Sequence, residues 1–151
     1  MKEAFGGIVN YLFLVIFLVI VISILALVVS YTKAFRMKNA IISVIEEYEG
    51  SGCYPESPLS PTGSTSDSAC RRKIKAKAKA LAYSPPNLVC KGPNIYNASG
   101  IYCYSIEKRI DNKAVIKVIT QVDMHFPIIE KIMGFRFFQV VGDTRVIELQ
   151  S

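Results

Sequence analysis

Four cysteines, one histidine and a single run of six cations are the groups in this 151-residue chain that could do chemistry. Cys53, Cys70, Cys90 and Cys103 contain no CxxC pair, and four thiols at such spacings suit disulfides better than a zinc site or a redox dithiol. Of the three possible pairings, the two short closures, Cys53 with Cys70 and Cys90 with Cys103, demand the least rearrangement of a chain ordered helix, loop, helix, sheet. His125 falls on the polar face of a predicted strand, with Asp123 two residues earlier on the same face. A dyad there lacks both a nucleophile and an orienting third group, so a solvated histidine is expected. No catalytic residue, cofactor-binding residue or metal ligand can be named. The expectation is a protein that is not an enzyme and needs no cofactor.

The cations are Arg71, Arg72, Lys73, Lys75, Lys77 and Lys79, with no acid among them; the rest of the chain balances at 12 basic against 12 acidic residues, so the net charge of +6 is one local patch. Such a patch attracts DNA, anionic membrane lipid or an acidic wall polymer. It has no interleaved aromatics and so no base-stacking signature. The plainer alternative is a solvated helix face, or one paired internally with the acidic stretch Glu46, Glu47 and Glu49. Asn97-Ala98-Ser99 matches a glycosylation acceptor, a short pattern on which little rests.

The elements that carry these groups begin with an apolar run. Ile8 to Val29 has no charge and only Asn10, Tyr11 and Ser23 as polar interruptions, and about 20 such residues make a helix that crosses a hydrocarbon core with every backbone group satisfied internally. Tyr11 and Tyr31, 20 residues and therefore roughly 30 Å apart, suit the two interfaces as anchors. A cleaved signal peptide would have an apolar core of about 7 to 15 residues and a small-x-small site, which is absent here. The organisation expected is a transmembrane segment over 1–31, an amphipathic helical extension over 32–50, a Ser/Pro/Thr-rich loop over 51–68 and a disulfide-stapled α+β domain over 69–151. In the extension Ala34, Met37, Ile41, Val44, Ile45 and Tyr48 recur at spacings of three and four, with charged residues between. No Pro or Gly interrupts Ile8 to Glu49, so one helix of about 60 Å should run to Gly50.

A second, short helix starts near Ala69, with Ile74, Ala78 and Leu81 on one face, the cations on the other and Pro85-Pro86 as its stop. Beyond it the period changes to two. Ile116, Val118, Thr120, Val122, Met124 and Phe126 alternate with Lys117, Gln121, Asp123 and His125, the pattern of a half-buried strand. Asp111-Asn112 should join it to an earlier strand near Ile101 to Ile110, and Phe135 to Val141 with Thr144 to Leu149 form one interrupted strand or two. The result is a small antiparallel sheet of three to four strands, whose apolar face the stripe on the long helix would cover.

Orientation is a contest between two rules. Lys33, Arg36 and Lys38 follow the span while only Lys2 precedes it, which favours a cytoplasmic C-terminal part. The four cysteines favour an oxidising compartment, because small exported domains need staples. The cysteines outweigh a charge bias that has exceptions. A single-pass protein of the cell membrane with its domain outside the cytoplasm is expected.

This layout resembles the type IV pilin-like proteins, and within them the TadE-like minor pilins or pseudopilins. The resemblance runs end to end and rests on Gly6-Gly7-Ile8-Val9-Asn10-Tyr11 before the apolar helix, the unbroken amphipathic extension, and VITQVDMHFPIIEKIMGFRFFQVVGDTRVIEL as a strand, a Pro-containing connection, a Gly and a terminal strand. It implies a structural subunit of a secretion, adhesion or DNA-uptake pilus apparatus, with other pilin-like subunits or an assembly platform as partners. Family members carry a Glu five residues after the processing site; cleavage after Gly6 would put Tyr11 there, next to Asn10. The alternative is a monomeric membrane-anchored binding module that uses its basic helix on polyanions.

Overall fold

The computed structural model describes residues 2–50, 52–53, 68–85, 88–108, 113–123 and 137–148. Two helices and five strands follow in order: α1 (Lys2–Glu47), α2 (Ala69–Ala80), β1 (Ile95–Ala98), β2 (Tyr102–Lys108), β3 (Lys113–Asp123), β4 (Phe137–Asp143) and β5 (Ile147–Glu148). The architecture is α+β: one long helix and an antiparallel sheet ordered β1-β2-β3-β4, with β5 also paired to β3.

At 46 residues α1 extends about 69 Å at 1.5 Å per residue. Its two halves meet different surroundings. Through the apolar run the side chains touch almost nothing: Phe13 is 67% exposed and Phe17 66%. Ser23 and Thr32 donate their hydroxyls to the carbonyls of Val19 and Val28, so both are satisfied within the helix itself. From Ala34 onward the stripe read from the sequence is buried: Ala34, Met37, Ile41, Val44 and Ile45 lie in the core and Tyr48 packs at its margin. The helix closes with Glu49 and Gly50 both at positive φ and the Gly50 N–H donated to the Ile45 carbonyl. Gly takes that left-handed position without the Cβ penalty other residues meet.

The sheet receives this stripe on one face. Ile116, Val118 and Thr120 of β3, Tyr102 and Tyr104 of β2 and Ala98 of β1 are all buried there, as their alternation predicts. Thr120 directs its hydroxyl at the carbonyls of Ala34 (3.2 Å) and Val140 (3.3 Å), which ties α1 to the sheet at the start of the buried stripe. Where α1 crosses β4 the strand offers Gly142: a Cβ there would lie 2.8 Å from Lys38 Cδ and 3.0 Å from Ile42 Cδ1. That glycine leaves room for the Lys38 and Ile42 side chains between helix and strand. As residue numbers rise along α1 from Ala34 to Glu46, the contacting residues of β3 fall, so Val122 and the start of β4 sit at the end of the sheet nearest the apolar half of α1.

The sheet differs from expectation in number. Five strands replace the expected three to four, because β1 and β5 are short segments of four and two residues with little alternation of their own. The expected break in the last strand falls at Thr144–Val146, just past Gly142-Asp143. There Thr144 gives its N–H to the Ile116 carbonyl and accepts the Ile116 N–H on its hydroxyl, so a side chain continues the ladder that the backbone drops. The short helix also ends differently. It stops at Ala80, before Pro85, through Ala82 at positive φ with Ala82 and Tyr83 donating N–H groups to the carbonyls of Lys79 and Ala78.

A larger difference concerns Gln121, expected on a solvated face and found 3% exposed. The chain leaving α2 covers it. Tyr83 places its hydroxyl against the Gln121 backbone, accepting the N–H and donating to the carbonyl, both at 2.9 Å. The Gln121 amide in turn pairs with the backbone of Val89, accepting its N–H at 3.1 Å and donating to its carbonyl at 2.9 Å. Cys90 then bonds to Cys103 on the outer face of β2, while Cys53 bonds to Cys70 at the start of α2. Both pairings are those expected from the spacing. Met124, His125, Phe126, the Asp111-Asn112 connection and most of the 51–68 loop lie outside the described residues.

The bridges close 17 and 13 residues, loops whose closure entropies differ by only a few tenths of a kcal/mol. Replacing either pair with Ala in the full chain should therefore lose a similar 2–5 kcal/mol, roughly, in denaturant melts of the detergent-solubilised protein. A loss confined to one pair would show that the other spans structure already held by packing.

Burial raises the Tyr83 hydroxyl to about 12, partly offset by its bond to Gln121. An unfolded tyrosine titrates near 10. Because the folded value is the higher one, the contribution of Tyr83 is complete below about pH 10 and is lost as pH rises towards 12. Tyr83→Phe should be less stable at neutral pH, having stranded two backbone groups of Gln121, and should show a shallower alkaline loss. Equal pH slopes for the two proteins between pH 10 and 12 would contradict this account.

Candidate functional site

Among the described residues no three His, Cys, Asp or Glu side chains converge on a possible metal position, and all four cysteines are bonded. Asn97 is exposed on β1, and its side chain accepts the Gly100 N–H at 2.8 Å, so it forms the β1–β2 turn. A cavity of about 10 Å³ bounded by Arg71, Ile74, Tyr102 and the β1–β2 turn has room for one water. The features left are the basic helix and the boundary of the apolar run.

The structure divides the six cations of the patch. Arg71 is 6% exposed, contrary to a place on the outer face: its Nε donates to the Ser68 hydroxyl at 3.1 Å, and that hydroxyl donates to the Gly52 carbonyl. The first turn of a helix next to a disulfide has its neighbours close by, and Arg71 serves to tie the 52–53 segment to α2. Lys73 donates to both carboxylate oxygens of Glu47 and lies 5.6 Å from the Tyr48 ring. That hydrogen bond raises its pKa. Arg72, Lys75, Lys77 and Lys79 are exposed, and the last two occupy the final turn of α2, where cations favour the helix dipole.

The internal alternative for the patch thus holds for Lys73. The same contact answers the unfavourable end of α1, which has no basic residue in its last turn. Glu47 is met by Lys73, and Glu46 accepts the Arg145 N–H at 2.8 Å while the Arg145 guanidinium donates to the Glu46 carbonyl at 3.4 Å. Sequence reading missed Arg145 because the partners are 99 residues apart; a lone Arg after a Gly-Asp turn gives no signal of what it faces.

The bridge at Cys70 and the Lys73–Glu47 pair set α2 alongside the distal part of α1 and running back towards the apolar half. Its far end, Ala80 and Leu81, meets α1 at Val28, Val29, Thr32, Lys33 and Arg36 across an open groove of about 370 Å³. Here the last residues of the apolar run, two exposed cations and the end of the basic helix come together. Tyr31 is exposed at the same level and stacks on Phe35 with ring centroids 6.5 Å apart, and Lys38 lies 4.3 Å over that Phe35 ring. Tyr11, the other expected anchor, is exposed at the opposite end of the run. The arrangement offers an apolar floor, an aromatic edge and a ring of positive charge.

In comparisons with family models, with curated proteins and with solved structures, the chain matches none of them.

Proposed function

We propose that the chain is a membrane-anchored, pilin-like structural subunit of a secretion, adhesion or DNA-uptake apparatus, with the stapled domain outside the cytoplasm. One observation carries the reading: α1 passes without a break from a membrane-length apolar half whose side chains are largely exposed into a half that forms the core of the domain. An apolar helix surface of that length is not stable against water and needs lipid or other helices to cover it. A cleavable or merely tethering segment would have no need to share its helix with the core. The two disulfides support an oxidising compartment for the domain. Lateral packing of the apolar halves of several copies is the assembly step the layout supports.

Three measurements test it in native membranes. The full chain should resist alkaline carbonate extraction. A thiol placed by Lys113→Cys, at an exposed position on β3, should react with an impermeant reagent in intact cells. Single cysteines scanned from Leu14 to Leu25 should cross-link copies with a period near 3.6 residues. Labelling only after permeabilisation would reverse the orientation and remove the pilin reading. A chain that is anchored and outside but never cross-links would be the monomeric binding module instead.

A further inference from the structure

We propose that the groove between the boundary turn of α1 and the far end of α2 binds the phosphate of an anionic phospholipid headgroup, held by Lys33 and Arg36. The inference rests on the anchored reading above and adds a specific ligand to it. The groove's volume of about 370 Å³ is that of a small-molecule site. Its composition is that of a lipid at the interface: Val28 and Val29 close the apolar run, and Lys33 and Arg36 follow within about two turns on one face, where a phosphate would lie just beyond the hydrocarbon. Arg and Lys side chains at such a level bury their stems against apolar surface and keep their charges at the phosphate plane.

The electrostatics leave these two cations available. Neither has a hydrogen bond or ion pair among the described residues, and no acid lines the groove. The nearest acids of α1 among the described residues, Glu46 and Glu47, stand ten or more residues along the helix and are engaged by Arg145 and Lys73. The end of α2 would ordinarily repel an anion through its unpaired carbonyls. Here the carbonyls of Lys77, Ala78 and Lys79 accept N–H groups from Leu81, Tyr83 and Ala82, and Lys77 and Lys79 add positive charge to the same turn. A lipid fits this position better than nucleic acid, because in an anchored chain the floor of Val28 and Val29 belongs to the bilayer.

The test uses the full chain reconstituted in phosphatidylcholine bilayers, with spin-labelled phosphatidylglycerol or spin-labelled phosphatidylcholine as the probe. Wild type should immobilise the anionic probe in preference to the zwitterionic one. Lys33→Gln with Arg36→Gln should reduce the preference roughly fivefold per cation removed. The charge-conserving Lys33→Arg, Arg36→Lys variant should retain it, as should a charge-matched control, Lys91→Gln with Lys113→Gln, at exposed positions elsewhere on the domain. Equal immobilisation of both probes by wild type overturns the site, and so does an equal loss in the control, which would mean a general field. Displacement of the anionic probe by duplex DNA would assign the cations to nucleic acid and overturn the lipid. A chain that carbonate strips from the bilayer overturns the anchor and the site together, whereas a retained chain without lipid preference overturns the site alone.

Discussion

One helix carries two kinds of surface, apolar all round in its first half and a single buried stripe in its second, and the rest of the molecule is arranged around that division. The apolar half of α1 presents side chains in every direction, whereas the distal half presents a single stripe to the sheet and charges elsewhere. Without the stripe, the inner face of a small five-stranded sheet would have little to bury against, since α2 supplies only Cys70, Ile74, Ala78 and the margin of Leu81. The domain therefore has no hydrophobic core of its own apart from α1. Its packing terms are concentrated at Met37, Ile41, Ile45, Val118 and the paired tyrosines Tyr102 and Tyr104.

A sheet this small leaves backbone groups at its ends and breaks, and side chains finish what the strands do not. Tyr83 does so beyond the start of β2, where the Gln121 backbone has no partner on the β2 side. Thr144 does so between β4 and β5. Buried backbone groups left unpaired cost on the order of 1–3 kcal/mol each. The disulfide at Cys103 secures the strap that carries Val89 onto Gln121, and the one at Cys53 secures the turn where α1 stops. Polar pairing and covalent closure thus act on the same two places, the sheet's outer face and the helix end.

What could be read in the sequence was whatever has a short period or a short span. The α1 stripe repeats every three to four residues for four turns and was legible residue by residue; so were the face of β3 and both disulfides, which join cysteines 17 and 13 apart. The contacts that were not legible join distant segments. Gln121 looks like a solvated residue because alternation reports one face of a strand and cannot report a strap that crosses the other. Arg71 and Lys73 look like members of one uniform patch because charge runs carry no information about which members face a carboxylate or a hydroxyl. For the same reason the groove at Lys33 and Arg36 could not be located, although its residues were noted: it exists only because α2 folds back along α1.

The absence of any Gly or Pro between Ile8 and Glu49 has a mechanical meaning. The 22-residue apolar run is about 33 Å long, slightly more than a hydrocarbon slab of about 30 Å, and such an excess is taken up by leaning. An ordinary tether would absorb the lean in a joint and leave the domain indifferent to it. Here the sheet is clamped to the same rod at Ala34, Gly142 and Glu46. In an anchored chain, the bilayer's thickness becomes the setting of a lever, and the attitude of the whole domain is its pointer.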